Sequence, residues 1–238
     1  MLMWLGYFNV HGESNNRKLL FQRAHASFRL WCLANQEAPG LRSFSQQFFN
    51  MTSWSSYAWA NCKGSDSMLL LRWLDTQVCA FLNELVDDAH LPTLELLRDG
   101  ARCAIDFSLH TYLHGLWLTK RCASRLCSDM KRFMKIYHCL AFWSRTKHNF
   151  TAFGMKSKLH MLCHTHHDLE VWTRDSTVQR VPNPQIWGCE SNEDVIGRIA
   201  RLSRRCAYKQ GPKRTLELYL IKCKAVHARY QKSLKIRR

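Results

Sequence analysis

The residues in this chain best placed to do chemistry are cations. Arg198, Arg201, Arg204 and Arg205 recur at helical spacing, and Lys222, Lys224, Arg229 and Lys232 follow in the next segment. Residues 198–238 hold 14 Lys/Arg against a single acid, Glu217. Arginines spaced along a helix can meet successive phosphates, and each contact releases counterions. The guanidinium fork fits phosphate in a way an ammonium does not. Most charge runs are solvated helix faces, but here opposing acids are almost missing over a long stretch. These eight residues are therefore the candidate nucleic-acid-binding set. No zinc-finger, RNA-recognition or basic-zipper spacing accompanies them, so the expected contact is non-specific.

Histidine is the second chemistry-bearing type. His160 and His164 share a helical face, with Cys163, His166 and His167 beside them, and His110 and His114 repeat the spacing elsewhere. Such i, i+4 pairs can hold zinc, and two facing pairs would supply four nitrogens. Against this, there is no CxxC knuckle, and Met161 stands where a zinc-protease helix carries Glu. Packed or solvated histidines are the commoner outcome, so no cofactor is expected and zinc at His110, His114, His160 and His164 is the alternative. Asp75, Glu84, Asp87, Asp88, Asp99, Asp106, Glu193 and Asp194 could in principle gather around divalent ions as a phosphoryl-transfer centre. Their spacing matches no catalytic signature, and capping and solvation explain them as well. Cys122 and Cys127 flank Arg125, which could activate a thiol, although no His or Asn context supports a nucleophile. No catalytic residue is assigned. A partial metal-dependent transposase- or nuclease-like domain stands as one alternative function, and a non-catalytic helical interaction module as another.

Charge is unevenly distributed among the elements that must position these groups. Residues 1–110 sum to −1, 111–197 to +5 and 198–238 to +13, within a chain of net charge +17. Such asymmetry points to a polyanionic partner. With 46% hydrophobic residues a core can be buried, and 10 Gly and 5 Pro in 238 residues favour long helices. The expected fold is mainly α: a multi-helix bundle ending in a basic α-helical hairpin, preceded by an irregular, aromatic-rich N-terminal segment.

Four stretches organise that fold. Residues 1–64 form the irregular segment, with a helix through 15–35 and an aromatic-dense stretch carrying Phe44, Phe48, Phe49, Trp54, Tyr57 and Trp59. Residues 65–170 form the helical core. Its helices run from 65 to about 88 behind Ser65 or Asp66, from Pro92 toward Tyr112 or 121, over 124–145, and over about 155–170. In the third of these, Lys131, Lys135, His138 and Arg145 fall opposite the apolar stripe. Residues 171–190, with Pro182, Pro184 and Gly188, read as a linker loop. Residues 191–238 form the basic hairpin, whose helices cover 192–206 and 213–235. Leu216, Leu220, Cys223, His227, Tyr230 and Leu234 step by four and three, a seam that could also pair copies into a homo-oligomer.

The segments KSKLHMLCH (156–164) and NPQIWGCESNEDVIGRIARLSRRC (183–206) carry a family resemblance. Over about residues 150–230 the chain resembles uncharacterised helical proteins repeated in dinoflagellate genomes, which are similar to the C-terminal parts of mobile-element proteins. The resemblance implies a DNA-associated, mobile-element-derived remnant and brings no catalytic residue with it. The opening MLMWLGYFNV lacks a basic secretory n-region, and the 11 cysteines are scattered and odd in number. Reduced thiols, no transmembrane segment and an intracellular location, with the nucleus as the specific expectation, follow.

Overall fold

The computed structural model describes residues 1–3, 5–9, 16–51, 53, 57–60, 62–84, 89–154, 157–187, 199, 202–204, 206 and 211–236. Among them the chain is mainly helical. Its elements are α1 (Arg17–Ala34), α2 (Gly64–Glu84), α3 (Leu91–Leu113), β1 (Trp117–Thr119), α4 (Lys120–Thr146), α5 (Ser157–Arg174), β2 (Arg180–Pro182), a 3-10 turn (Pro184–Trp187) and α6 (Gly211–Ile236). Two compact units result, Met1–Ile186 and Trp187–Arg238.

In the first unit the helices start where local chemistry permits. Asn16 caps α1 by accepting the Lys18 N–H at 3.0 Å. Thr119 caps α4 by accepting the Cys122 N–H at 3.3 Å, so α4 begins four residues before its apolar stripe suggests. Pro92 sits in the first turn of α3, where its missing N–H costs nothing. Asp66 lies in the first turn of α2, but its carboxylate accepts the Gly40 N–H at 2.8 Å, tying down the preceding loop instead of capping the helix.

Helices end through left-handed residues in a chain short of glycine. Gln36 (φ 57°) reverses the chain after α1, with the Glu37 N–H donating to the Cys32 carbonyl at 2.9 Å. Asn149 (φ 49°) does the same after α4, where the Phe150 N–H donates to the Ser144 carbonyl at 2.9 Å. Asparagine tolerates this conformation better than most residues. Phe150, 2% exposed, is the side chain that the second reversal buries.

The aromatic stretch of the first 64 residues packs rather than pairs. Phe44 touches the rings of Phe28, Phe49 and Trp73 at centroid distances of 5.4, 5.1 and 5.9 Å, in one core with Leu2, Phe8, Phe21 and Leu94. Such ring clusters add to plain area burial. A second core joins Leu118, Leu126, Met130, Leu169 and Val181, from β1, α4, α5 and β2. A third joins Cys103 to Ile136 and Leu140 where α3 crosses α4. A Cβ on Gly100 would lie 3.0 Å from Ile136 Cγ2, so glycine is what lets these two helices approach.

The stretch 171–190, expected as a loop, is largely ordered through 187. α5 runs on to Arg174, and β2 pairs antiparallel with β1 in the register Trp117↔Pro182, Leu118↔Val181, Thr119↔Arg180. Three-residue strands carry too little periodicity to register in a sequence. The pairing is fixed instead by burial of Leu118 and Val181, both 0% exposed, and by Asn183. The Asn183 side-chain amide donates to the carbonyls of Thr111 (2.8 Å), Gly115 (2.9 Å) and His114 (3.2 Å), while its carbonyl accepts the Gln185 N–H (3.1 Å). It thus satisfies carbonyls at the end of α3, which stops at Leu113, next to the expected end at Tyr112, and does not extend to 121.

In the second unit the long helix expected over 213–235 is present as Gly211–Ile236. The helix expected over 192–206 lies mostly outside the described residues. Leu202 (4% exposed) and Thr215 (5%) are buried, and Thr215 Oγ1 donates to Cys206 Sγ at 3.6 Å. Leu216 and Leu220, expected to close the hairpin seam, are 60% and 51% exposed.

Candidate nucleic-acid interface

α4 is amphipathic in charge as well as in hydropathy. Lys120, Arg121, Arg125, Lys131, Arg132, Lys135 and Arg145 lie on it, and Asp129 is its one acid. At about 100° per residue these cations fall within an arc of roughly 160°, and Asp129 lies outside it. The opposite arc carries Leu126, Met130, Ile136 and Leu140, all buried. Arg121, Arg125, Lys131, Arg132, Lys135, His138 and Arg145 are exposed. The face is some 38 Å long from Lys120 to Arg145 at about 1.5 Å per residue.

Few carboxylates compete for these cations. Arg132 is shared with Asp99 at 2.6 Å. The Lys120 ammonium donates to the Asp175 carbonyl, and Lys147, just past the helix, sits 3.6 Å over the Trp143 ring centroid. Asp129 itself is held above the ordinary carboxylate range, first by burial and then by the neighbouring Asp106 carboxylate; Arg125, His110 and Arg132 pull the other way. Its Oδ2 is buried without a hydrogen-bond partner. The sequence marks Lys131, Lys135, His138 and Arg145 as off-stripe, but it attaches no function to them because charge on the far tail dominates the count.

The tail residues are placed unevenly. Arg204 is exposed in a turn, and Lys222 and Lys224 are exposed on α6. Arg229 and Lys232 fall further along the same helix. Arg198, Arg201 and Arg205 lie outside the described residues.

The histidine pairs stay apart. His160 and His164, both exposed on α5, have Nε2 atoms 2.9 Å apart. His110 and His114, at the end of α3, have near-parallel rings with centroids 6.3 Å apart. The principal contacts of α3 and of α5 are with α4. Among the described residues no three His, Cys, Asp or Glu groups converge where a metal would sit. Cys163 instead lies 3.4 Å from the Met134 sulfur. Burial lowers the His166 pKa, and its Nε2 is buried without a partner.

Two of the carboxylates weighed as a catalytic set, Asp75 and Asp99, are engaged in ion pairs, while Glu84 is exposed and Asp106 half-buried. Asp75 on α2 accepts from Arg102 Nε on α3 at 3.0 Å, and Asp99 on α3 holds both Arg98 (3.1 Å) and Arg132 of α4. Asp87, Asp88, Glu193 and Asp194 lie outside the described residues. Burial pushes the Cys122 and Cys127 thiols up, and for Cys122 it outweighs the opposing pull of Arg125.

No helix among the described residues is long and apolar enough to cross a membrane. No protein family, curated protein or solved structure matches the chain.

Proposed function

We propose that this chain binds nucleic acid through the phosphate backbone, without reading sequence. The observation that carries the reading is the α4 face, on which six Lys/Arg are exposed and no acid of the helix shares their arc. Cations spread over some 38 Å match the extent of about one turn of duplex. The basic tail adds Arg198, Arg201, Arg204, Arg205, Lys222, Lys224, Arg229 and Lys232 as further phosphate contacts. Duplex DNA is the first partner to test, in keeping with the mobile-element origin that the 150–230 resemblance implies.

The experiment is a salt series on a mixed-sequence duplex. Each phosphate contact contributes about 0.9 to the slope of log affinity against log salt. Replacing Arg121, Arg125, Lys131 and Lys135 with Gln is therefore expected to flatten the slope by roughly 3 to 4 and to weaken binding at low salt. An unchanged slope in that variant, with its fold intact by circular dichroism, would remove α4 from the interface. Absence of binding by the native chain at low salt would remove the reading altogether. The exposed Leu216, Leu220 and Ile221 of α6 favour a second reading, a helical module that pairs with a partner chain. Mass that rises with concentration in the absence of nucleic acid would mark it.

A further inference from the structure

Behind the α4 interface lies a cavity of about 420 Å³ that belongs to the first unit alone. Its walls come from separate stretches of chain: Phe8, Phe21, Phe44, Trp73, Phe133 and Phe153 all face it. No side chain in its lining carries a charge. Three side chains bring a polar hydrogen, and each is already committed elsewhere. Trp73 Nε1–H donates to Ser27 Oγ at 3.3 Å, Tyr137 O–H to the Gly154 carbonyl at 2.7 Å, and Ser67 O–H to the Lys63 carbonyl at 3.1 Å.

The lining side chains offer water little to hold it, because a stably bound water needs two or more polar partners. An apolar cavity of about 150 Å³ stays dry and accepts benzene, and this one is nearly three times larger. It falls within the roughly 300–1,000 Å³ range of small-molecule sites. Interiors pack densely, and a void this size left empty forfeits the dispersion contacts of every side chain around it. The aromatic walls set the class of guest: rings on several sides offer edges and faces to a flat ring system by offset or edge-to-face contact. Met51, also in the lining, adds a polarisable sulfur that adapts to such a shape.

We infer that this cavity is a binding site for an uncharged aromatic molecule of two or three rings. A charged group on that molecule would find no counter-ion among the lining side chains, and burial pushes the Met1 amino group, also in the lining, down to about 5, so that it is uncharged at neutral pH; an uncharged guest is favoured over an ionic one. The site is distinct from the phosphate-contact face, which uses the opposite side of α4.

The test uses the full chain and N-phenyl-1-naphthylamine, a neutral two-part aromatic whose fluorescence rises in apolar surroundings. The native chain is expected to bind one equivalent saturably. Ala60→Leu and Ala101→Leu, which fill the cavity from two different walls, are each expected to weaken that binding at least tenfold. A measurement independent of any variant is methyl NMR with labelled methionine. Met3 and Met51 line the cavity and are expected to shift on titration, whereas Met130, buried in the second core, and Met161, 61% exposed, stay put. No saturable binding, equal binding by native and both filled chains, or shifts at Met161 without Met51 would each overturn the assignment.

Discussion

Asn183 is the residue whose removal should expose the logic of this fold most directly. It is 1% exposed and sits just after β2. Its amide donates toward the carbonyls of Thr111, His114 and Gly115 at 2.8, 3.2 and 2.9 Å, and its own carbonyl accepts the Gln185 N–H at 3.1 Å. Asn183→Ala removes all four contacts and leaves one fully buried carbonyl, that of Thr111, without this donor. A buried orphan costs about 1–3 kcal/mol, while each of the half-buried contacts is worth about 0.5–1.5 kcal/mol because water can partly replace the lost partner. The expected loss is therefore about 3 kcal/mol or more for the first unit, or at least about 6 °C in Tm for a domain of this size. Urea unfolding followed by far-UV circular dichroism reads it as a lower midpoint at an unchanged slope. Asn183→Asp sharpens the test. It keeps the volume but removes both donors and aims a carboxylate at three carbonyls, so it should cost more than alanine at neutral pH and recover part of the loss in acid. A deficit below about 1 kcal/mol for Asn183→Ala, or an aspartate variant no worse than alanine, would refute the claim that this amide holds the end of α3 to the β1–β2 pair.

Two further outcomes follow from buried titratable groups. Asp129 has its folded pKa raised above the unfolded value of 3.8, so its ionised form destabilises the native state above the folded pKa and the penalty fades as pH falls through that value. Asp129→Asn should therefore raise the urea midpoint at pH 7 and leave it unchanged near pH 3.5; equal effects at both pH values would show that ionisation is not the cause. Among the described cysteines, Cys139, Cys163 and Cys223 are exposed, whereas Cys32 and Cys103 are buried with thiols that burial pushes up. Brief alkylation of the native chain followed by peptide mapping should label the first three well ahead of the latter two, and comparable labelling of Cys32 would contradict its placement in the core.

Much of the helical frame was legible because long amphipathic periods advertise themselves. The stripe of Leu126, Met130 and Leu140 marked α4, and these residues are 0%, 1% and 4% exposed. Boundaries were less legible, since they depend on partners far away in sequence. Thr119 extends α4 upstream through one hydroxyl, and Asp66 looks like a cap but serves a loop 26 residues earlier. The β1–β2 pair was invisible because three residues cannot show a period of two convincingly, and its register rests on a side chain 72 positions from the carbonyl it binds. For the candidate site the gap was one of emphasis. The tail drew attention by sheer charge density, whereas the α4 cations are interleaved with Leu, Met, Phe and Ile and only separate from them when the helix is wound.

That winding makes α4 the element on which both halves of the functional reading depend. Phe133, Ile136, Tyr137 and Leu140 face the cavity and the α3 crossing, while Lys131, Arg132, Lys135 and His138, their immediate neighbours, are exposed. A helix needs one face buried before it is stable in a protein, because propensity alone leaves an isolated helix marginal. A row of like charges lowers that stability further, since i, i+4 pairs of equal sign repel. The apolar face of α4, with α3 and α5 packed against it, is thus what allows so many cations to stand along the other side with few acids to balance them. Charge left unbalanced on a rigid, well-buried helix is available to an external polyanion, whereas the same residues on an isolated peptide would spread and lose their spacing.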